Sequence, residues 1–242
     1  MATMRKLVLL TALLGLSHTA SAEPVKPGGL GGLVRSIFKG AAQEKQARVF
    51  HSRGVGYKAT FTAPDGTTHP AFVRVSRAGT SPSNTTKPAI EGLAVKVGGQ
   101  DFLMIASKSD KGLGGRILKT AGKFGGETFS SITTYGTQGM KGVVSTELPA
   151  GMHTPIDIAP RTPADADQSF ELKLQQTLWG RTGTRDIGKV TVHLDQRLDQ
   201  KANDQLRFSP YNDAGGVKPA GLVNLIRKFA MAGSQAGRLG EK

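Results

Sequence analysis

A histidine between two arginines is the part of this sequence best suited to chemistry. Arg48, His51 and Arg53 lie close together, ahead of a segment in which apolar and polar residues alternate. Cations that lie close to an imidazole disfavour its protonation, and a neutral imidazole can accept a proton. The spacing makes His51 a candidate general base, although a single histidine on a strand more often has a structural role.

A second group of polar residues lies on the next predicted strand. Arg74 and Ser76 are alternate residues of that strand, so their side chains share one face. An arginine there can bind a carboxylate through its fork of donors, and a serine hydroxyl can orient an imidazole. With His51, these residues predict a pocket for an anionic cofactor beside a base.

The elements that must position these residues are mostly strands. Alternating apolar residues and the turn clusters at 64–66 and 98–99 predict strands separated by turns. Strands are predicted at 56–62, 72–76, 91–97, 101–103, 142–148, 170–175 and 187–194, and an amphipathic helix at 221–232. The glycine-rich region 107–141 has weak periodicity and is predicted to be a flexible connection, and 149–168 a loop.

Several of these segments resemble one known family. The run Arg48-Val49-Phe50-His51-Ser52-Arg53-Gly54 is similar to the distal motif of heme catalases, and residues 91–97 resemble a following strand of that family. Residues 206–212 and Asn224-Leu225-Ile226-Arg227 resemble the loop and proximal helix of the short catalase-related proteins. The resemblance covers roughly 45–105 and 169–231, with the motifs in the correct order.

The resemblance implies an α+β fold, an antiparallel catalase-like β-barrel with an N-terminal arm and a C-terminal helix. It also implies a heme cofactor and a reaction with hydrogen peroxide or organic peroxides. Arg48 and Arg74 would bind the heme propionates, and Arg227 would do the same or tune the proximal side. His51 would be the acid–base catalyst, supported by Ser76.

Two departures from the family bear on the activity. Met231 stands where the family has the tyrosine that ligates heme iron, four residues after Arg227, and the distal asparagine expected near Ala106 is absent. A methionine ligand favours lower oxidation states of iron, but most helical methionines only pack. The activity is therefore expected to be weak or altered. The alternatives are a non-enzymatic ligand-binding or structural protein on a degenerate catalase barrel, and an unrelated lipocalin-like barrel.

The beginning of the chain predicts export to the periplasm or secretion. Arg5 and Lys6 precede the apolar residues 7–16, and Ala20-Ser21-Ala22 is typical of a cleavage site, so residues 1–22 are predicted to be a signal peptide. The apolar run is too short for a membrane span, and no transmembrane segment is predicted. The remaining predicted regions are a linker and N-terminal arm at 23–44, the barrel domain at 45–232 and a flexible tail at 233–242.

The composition limits the chemistry and the partners. The chain has no cysteine, which excludes thiolate ligands, disulfides and cysteine nucleophiles. The net charge of +14 favours anionic partners such as an envelope polymer or a lipid surface. With three tyrosines, one tryptophan and no RNP-like or zinc-finger pattern, specific nucleic-acid binding is not expected. The sequence also lacks the motifs of zinc proteases, serine hydrolases and EF-hands.

Overall fold

The computed structural model describes Lys39 and residues 53–78, 89–109, 119–121, 128–137, 140–148, 169–178, 183–209, 211–212, 216–220 and 222–239. These residues form β-strands for the most part, and two α-helices follow the tenth strand. The strands are β1 (Arg53–Thr62), β2 (Thr68–Ala78), β3 (Ala89–Val97), β4 (Gln100–Ala106), β5 (Thr120–Ala121), β6 (Thr128–Ser130), β7 (Tyr135–Thr137), β8 (Met140–Glu147), β9 (Ser169–Leu178), β10 (Thr184–Arg197) and β11 (Lys218–Pro219). The helices are α1 (Gln200–Gln205) and α2 (Leu222–Leu239).

Eight of the strands close into an antiparallel barrel. Their order around the ring is β1, β2, β3, β4, β6, β8, β9 and β10, and β10 pairs again with β1. The ring closes where Gly142 to Ser145 of β8 pair with β9. The short strands β5, β7 and β11 lie beside this ring. A closed barrel leaves no long unpaired edge between its strands.

The barrel interior is filled by alternate residues of the strands. On β2, Val73 and Val75 are fully buried, and on β3 the same holds for Val95. Inward residues from neighbouring strands form one continuous apolar cluster, to which Phe102, Met104, Phe129, Leu172, Leu174, Val190 and Val192 also belong. Since successive side chains on a strand point to opposite faces, this cluster fixes which polar residues face outward.

The predicted turns are present. Asp65 accepts a hydrogen bond from the Thr67 backbone amide (3.0 Å), and Gly66 has a φ of 85° in the β1–β2 turn. Gly98 has a φ of 54° in the turn between β3 and β4. Glycine adopts such angles without the steric cost that other residues meet, so these turns hold the register of the first four strands.

The prediction for residues 107–141 was wrong in part. Strands β5, β6 and β7 lie in this region, and β6 is a member of the barrel ring. These strands have two or three residues each, and the chain bends between β6 and β7. Segments so short cannot show a clear two-residue alternation.

Helix α2 is longer than predicted. It includes residues 233–239, which belong to the segment 233–242 that was predicted to be a flexible tail. The helix continues to Leu239, and Gly233, Ser234 and Ala236 are buried. Small residues let a helix approach its neighbours closely, and their burial explains why the helix does not end at 232. Helix α1 was not predicted; Asp199 caps it by accepting a hydrogen bond from the Ala202 amide (2.7 Å).

Other predictions lie outside the described residues. These are the signal peptide at 1–22, the N-terminal arm except Lys39, and the loop at 149–168. Within the described part of the chain, neither helix has the length and apolar character that a membrane crossing requires.

Candidate functional site

Arg74 is a buried arginine on the outer face of β2. Its neighbours Val73 and Val75 point into the barrel, so Arg74 points outward, yet only 4% of it is exposed. Helix α1 covers it: the Arg74 Nε group donates a hydrogen bond to Asn203 Oδ1 (3.3 Å). The predicted cofactor-binding arginine is therefore held in one place by a helix 129 residues further along the chain.

Gly54 on β1 leaves the space that the Arg74 guanidinium occupies. A Cβ atom at this position would lie 2.7 Å from Arg74 Cζ and 2.5 Å from the Val75 carbonyl oxygen. The Asn203 side-chain amide also donates a hydrogen bond to the Gly54 carbonyl (3.1 Å). Arg74, Asn203 and Gly54 therefore form one interlocked group at the start of β1.

Ser76 lies two residues further along β2 and is also buried. It is paired with Gly54 in the strand register. Its hydroxyl donates a hydrogen bond to the Gly92 carbonyl of β3 (3.2 Å). Because that bond uses the hydroxyl proton, Ser76 can support an imidazole only by accepting a hydrogen bond from a ring N–H group.

The candidate base belongs to the segment just before β1. Arg48 and His51 lie outside the described residues, and His51 precedes the first residue of β1, Arg53, by two positions. The prediction that His51 meets Arg74 and Ser76 thus stays a prediction. The structure does bring Arg74 and Ser76 together at the end of β2 that pairs with the beginning of β1.

The segment that leads into α2 is attached to the start of β4 by Asp101. This side chain is fully buried and accepts hydrogen bonds from the Ser209 backbone amide (2.8 Å) and the Asn212 side-chain amide (2.7 Å). The Lys96 ammonium lies 2.9 Å from its other oxygen. Burial raises the pKa of Asp101, while Lys96 and the two amide donors oppose the shift.

Gln100, next to Asp101, holds the same segment further along. Its amide nitrogen donates to the Val217 carbonyl (3.2 Å), and its oxygen accepts from the Val217 backbone amide (3.4 Å). The Lys96 ammonium also lies 5.8 Å from the centre of the Phe208 ring. These contacts hold Phe208, Ser209, Asn212 and Val217 against the β3–β4 hairpin, ahead of α2.

Arg227 and Met231 lie one helical turn apart on α2, and both are partly buried. The Arg227 Nη1 group donates a hydrogen bond to Thr133 Oγ1 (2.9 Å) in the bend between β6 and β7. Burial lowers the pKa of Arg227, and the nearby Tyr135 and Tyr211 oppose that shift. In the described part of the chain, no carboxylate forms a salt bridge with Arg227.

Some residues that organise these sites gave no signal in the sequence. Asn203 belongs to a six-residue helix with little periodicity, and Thr133 belongs to a region predicted to be flexible. Asp101 belongs to a segment for which the sequence predicts only a strand. Each acts through a contact with a residue that is distant in sequence, which a single sequence does not reveal.

The buried cation of Arg74 bears on whether these residues fit the heme that the resemblance implies. Only 4% of Arg74 is exposed, and a buried guanidinium suits a carboxylate of a porphyrin. On α2, Met231 stands where the resemblance predicts the tyrosine that ligates heme iron. Within the described residues there is no cluster of three or more histidine and acidic side chains suited to a metal ion. Arg74 therefore fits a heme carboxylate, whereas a thioether at position 231 differs from the oxygen ligand that the resemblance implies.

Comparison with known proteins identifies the fold. No protein-family model and no curated protein matches the chain. A fungal catalase solved by crystallography is similar over 93% of this chain and 67% of its own chain, with a TM-score of 0.55 and 13% sequence identity. A bacterial catalase is similar over 94% of this chain and 64% of its own, with a TM-score of 0.53 and 14% identity.

The barrel is therefore catalase-like, as the sequence motifs predicted, in a strongly divergent sequence. The chain spans about two thirds of the length of these two catalases. At this level of identity, the comparison establishes the fold alone.

Proposed function

We propose that this chain is an exported, catalase-like heme protein that acts on hydrogen peroxide or organic peroxides with weak or altered activity. The observation that carries the proposal is the buried guanidinium of Arg74, which lies against Gly54. A buried cation held at the start of β1, close in sequence to His51, suits an anionic cofactor next to a proton acceptor.

Each candidate residue has a separate role in this proposal. Arg48 and Arg74 hold the two carboxylates of heme, and Ser76 accepts a hydrogen bond that orients the imidazole. His51 takes a proton from a bound peroxide and returns it to the leaving oxygen. When bound, heme supplies the redox chemistry of peroxide cleavage.

The proximal side explains why the activity is expected to be weak. The Met231 thioether is neutral, so it does not support high oxidation states of iron as an anionic oxygen ligand does. Arg227 lies one turn earlier and would add positive charge to that side of the cofactor. Both features disfavour efficient turnover of peroxide.

A non-enzymatic ligand-binding or structural role on the same barrel is the second candidate. It is favoured by Met231 and by Ala106, which is buried in the barrel core near the position where the family has its distal asparagine. Such a protein would bind an anionic ligand without turnover. In either case the predicted signal peptide indicates a periplasmic or secreted protein, and the net charge of +14 favours contact with an anionic envelope or lipid surface.

A visible absorption spectrum during hemin titration tests the proposal first. We expect a stoichiometric Soret band that is weakened in Arg74→Gln and retained in Arg207→Gln, which changes an exposed arginine. Peroxide consumption should then be lost in His51→Ala while hemin binding persists.

The outcomes separate the two candidates. A Soret band with His51-dependent turnover supports the peroxide function. No Soret band at saturating hemin removes the heme proposal, and a Soret band without any turnover supports the non-enzymatic role.

A further inference from the structure

We propose that Arg227 forms a binding site for one carboxylate group, where α2 meets the bend between β6 and β7. The site does not require heme, so the inference is independent of the proposed peroxide activity. It follows from a positive charge that the described residues hold in place but do not neutralise.

The first observation is the electrostatic isolation of Arg227. Its guanidinium is partly buried and makes one hydrogen bond, to Thr133 Oγ1. No acidic side chain of the described residues pairs with it. An arginine does not lose its proton in a protein, so withdrawing it from water without a counter-charge is unfavourable. A bound anion would supply the counter-charge.

The two tyrosines beside Arg227 do not provide that charge. Burial raises the pKa of Tyr135 to about 12, although Arg227 opposes the shift. Burial also raises the pKa of Tyr211, again against the influence of Arg227. Both phenols are therefore neutral at physiological pH, and the guanidinium keeps a full positive charge.

The second observation is that the bend holds the guanidinium in a fixed orientation. The Thr133 hydroxyl donates to the Ser131 carbonyl (3.1 Å) and so accepts from Arg227. The Ser131 hydroxyl in turn donates to the Thr133 carbonyl (2.7 Å). Ile132 between them has a φ of 58°, an angle that is unfavourable for a β-branched residue. Strained backbone of this kind is concentrated at functional sites.

The geometry limits the class of ligand. Thr133 accepts a hydrogen bond from Nη1 of Arg227 and is its one hydrogen-bond partner among the described residues. A planar carboxylate matches the fork of a guanidinium with two parallel hydrogen bonds. One unneutralised positive charge matches a monocarboxylate better than a doubly charged phosphate, which favours a carboxylic acid as the ligand.

Binding of sodium benzoate and of inorganic phosphate to the hemin-free protein tests the site. Isothermal titration calorimetry at constant ionic strength would be run on the wild type, Arg227→Gln and Arg207→Gln. We expect benzoate to bind the wild type and Arg207→Gln alike, and Arg227→Gln at least about tenfold more weakly, a difference of about 1.4 kcal/mol.

A second pair of variants keeps the test decisive if Arg227→Gln does not fold. Arg227→Lys keeps the charge without the fork, and Thr133→Val removes the acceptor that orients it; both should weaken benzoate binding. Equal binding by the wild type and these variants, or no benzoate binding at all, would overturn the proposal. Tighter binding of phosphate than of benzoate would overturn the assignment to a carboxylate.

Discussion

The Arg74 guanidinium and the Asn203 amide join β2 to α1 by a hydrogen bond of 3.3 Å between Nε and Oδ1. Asn203 is itself buried and also donates to the Gly54 carbonyl. The Asn203 side chain thus forms hydrogen bonds with both the buried guanidinium of Arg74 and the carbonyl of Gly54. The candidate cofactor-binding arginine depends on a residue that has no expected contact with a cofactor.

Replacement of Asn203 by alanine should destabilise the protein and remove the hydrogen bond that joins Arg74 to α1. We expect a loss of about 1 to 3 kcal/mol in the free energy of unfolding, because the buried Arg74 Nε group and the Gly54 carbonyl each lose a hydrogen bond to Asn203. Urea denaturation would measure this, with Lys201→Ala as the control on the exposed side of α1. An equal effect of the two substitutions would show that Asn203 does not hold Arg74.

Replacement of Gly54 by alanine should displace the Arg74 guanidinium. The added methyl group would lie 2.7 Å from the guanidinium and 2.5 Å from a backbone oxygen, so we expect a cost of about 1 to 3 kcal/mol. Hemin affinity should fall along with stability. Lys58→Ala, an exposed change on the same strand, should leave both quantities unchanged, and a stable Gly54→Ala protein with full hemin affinity would contradict this account.

The raised pKa of Asp101 gives a defined dependence of stability on pH. Between its ordinary value of 3.8 and the higher native pKa, the folded protein holds a proton that the unfolded chain has lost. The contribution of Asp101 to stability should therefore decrease as the pH rises through this window.

Urea denaturation at pH 4 and pH 7 would measure this change. The free energy of unfolding of the wild type, relative to Asp101→Asn, should be greater at pH 4 than at pH 7. Asp195→Asn, at an exposed position, serves as the control. A relative stability that increases with pH would show that Lys96 and the amide donors outweigh burial.

Because Ile132 has a left-handed backbone conformation, substitution of asparagine at this position should cost little stability. Asparagine adopts left-handed angles more readily than isoleucine, so Ile132→Asn recovers part of about 1 to 3 kcal/mol of backbone strain. Ile105 on β4 is also partly buried but lies in extended backbone. In thermal and urea denaturation, Ile105→Asn should therefore cost more than Ile132→Asn, and the reverse order would contradict the strain.

Replacement of Met231 by tyrosine tests the proximal position. A phenol one turn after Arg227 would have its pKa lowered by the guanidinium, which favours an anionic oxygen donor for heme iron. We expect Met231→Tyr to retain more hemin through gel filtration than the wild type, as measured by the Soret band. Phe229→Tyr adds the same group elsewhere on α2, and equal retention by both variants would show that position 231 does not face the cofactor.

The sequence predicted the strands whose alternation is long enough to be seen. Segments such as 91–97 have both a clear two-residue period and a turn cluster beside them, so β1 to β4 were predicted. Strands β6 and β7 were missed because a bend at Ile132 interrupts them after a few residues. The end of α2 was placed too early because Gly233 and Gly237 usually disfavour a helix interior, whereas here both are buried against neighbours.

The candidate site was predictable only where the chain carries a recognisable motif. Arg74, Ser76, Arg227 and Met231 are candidates because of their spacing and because of the resemblance, and their roles stay predictions. Their supporting residues were not found, because the contact between Arg227 and Thr133 joins residues 94 positions apart. Such contacts depend on how the barrel closes, so the local sequence around each residue does not predict them.

The pairing of β1 with β10 determines when the barrel can be completed. Residues near Tyr57 meet their partners around Arg197, so one edge of β1 has no partner until most of the chain has left the ribosome. A growing chain therefore exposes an open strand edge for much of its synthesis, and contacts between such distant segments form slowly. Folding of this protein should therefore be largely post-translational. The N-terminal hairpins should depend on chaperones until β10 has been synthesised and can pair with β1.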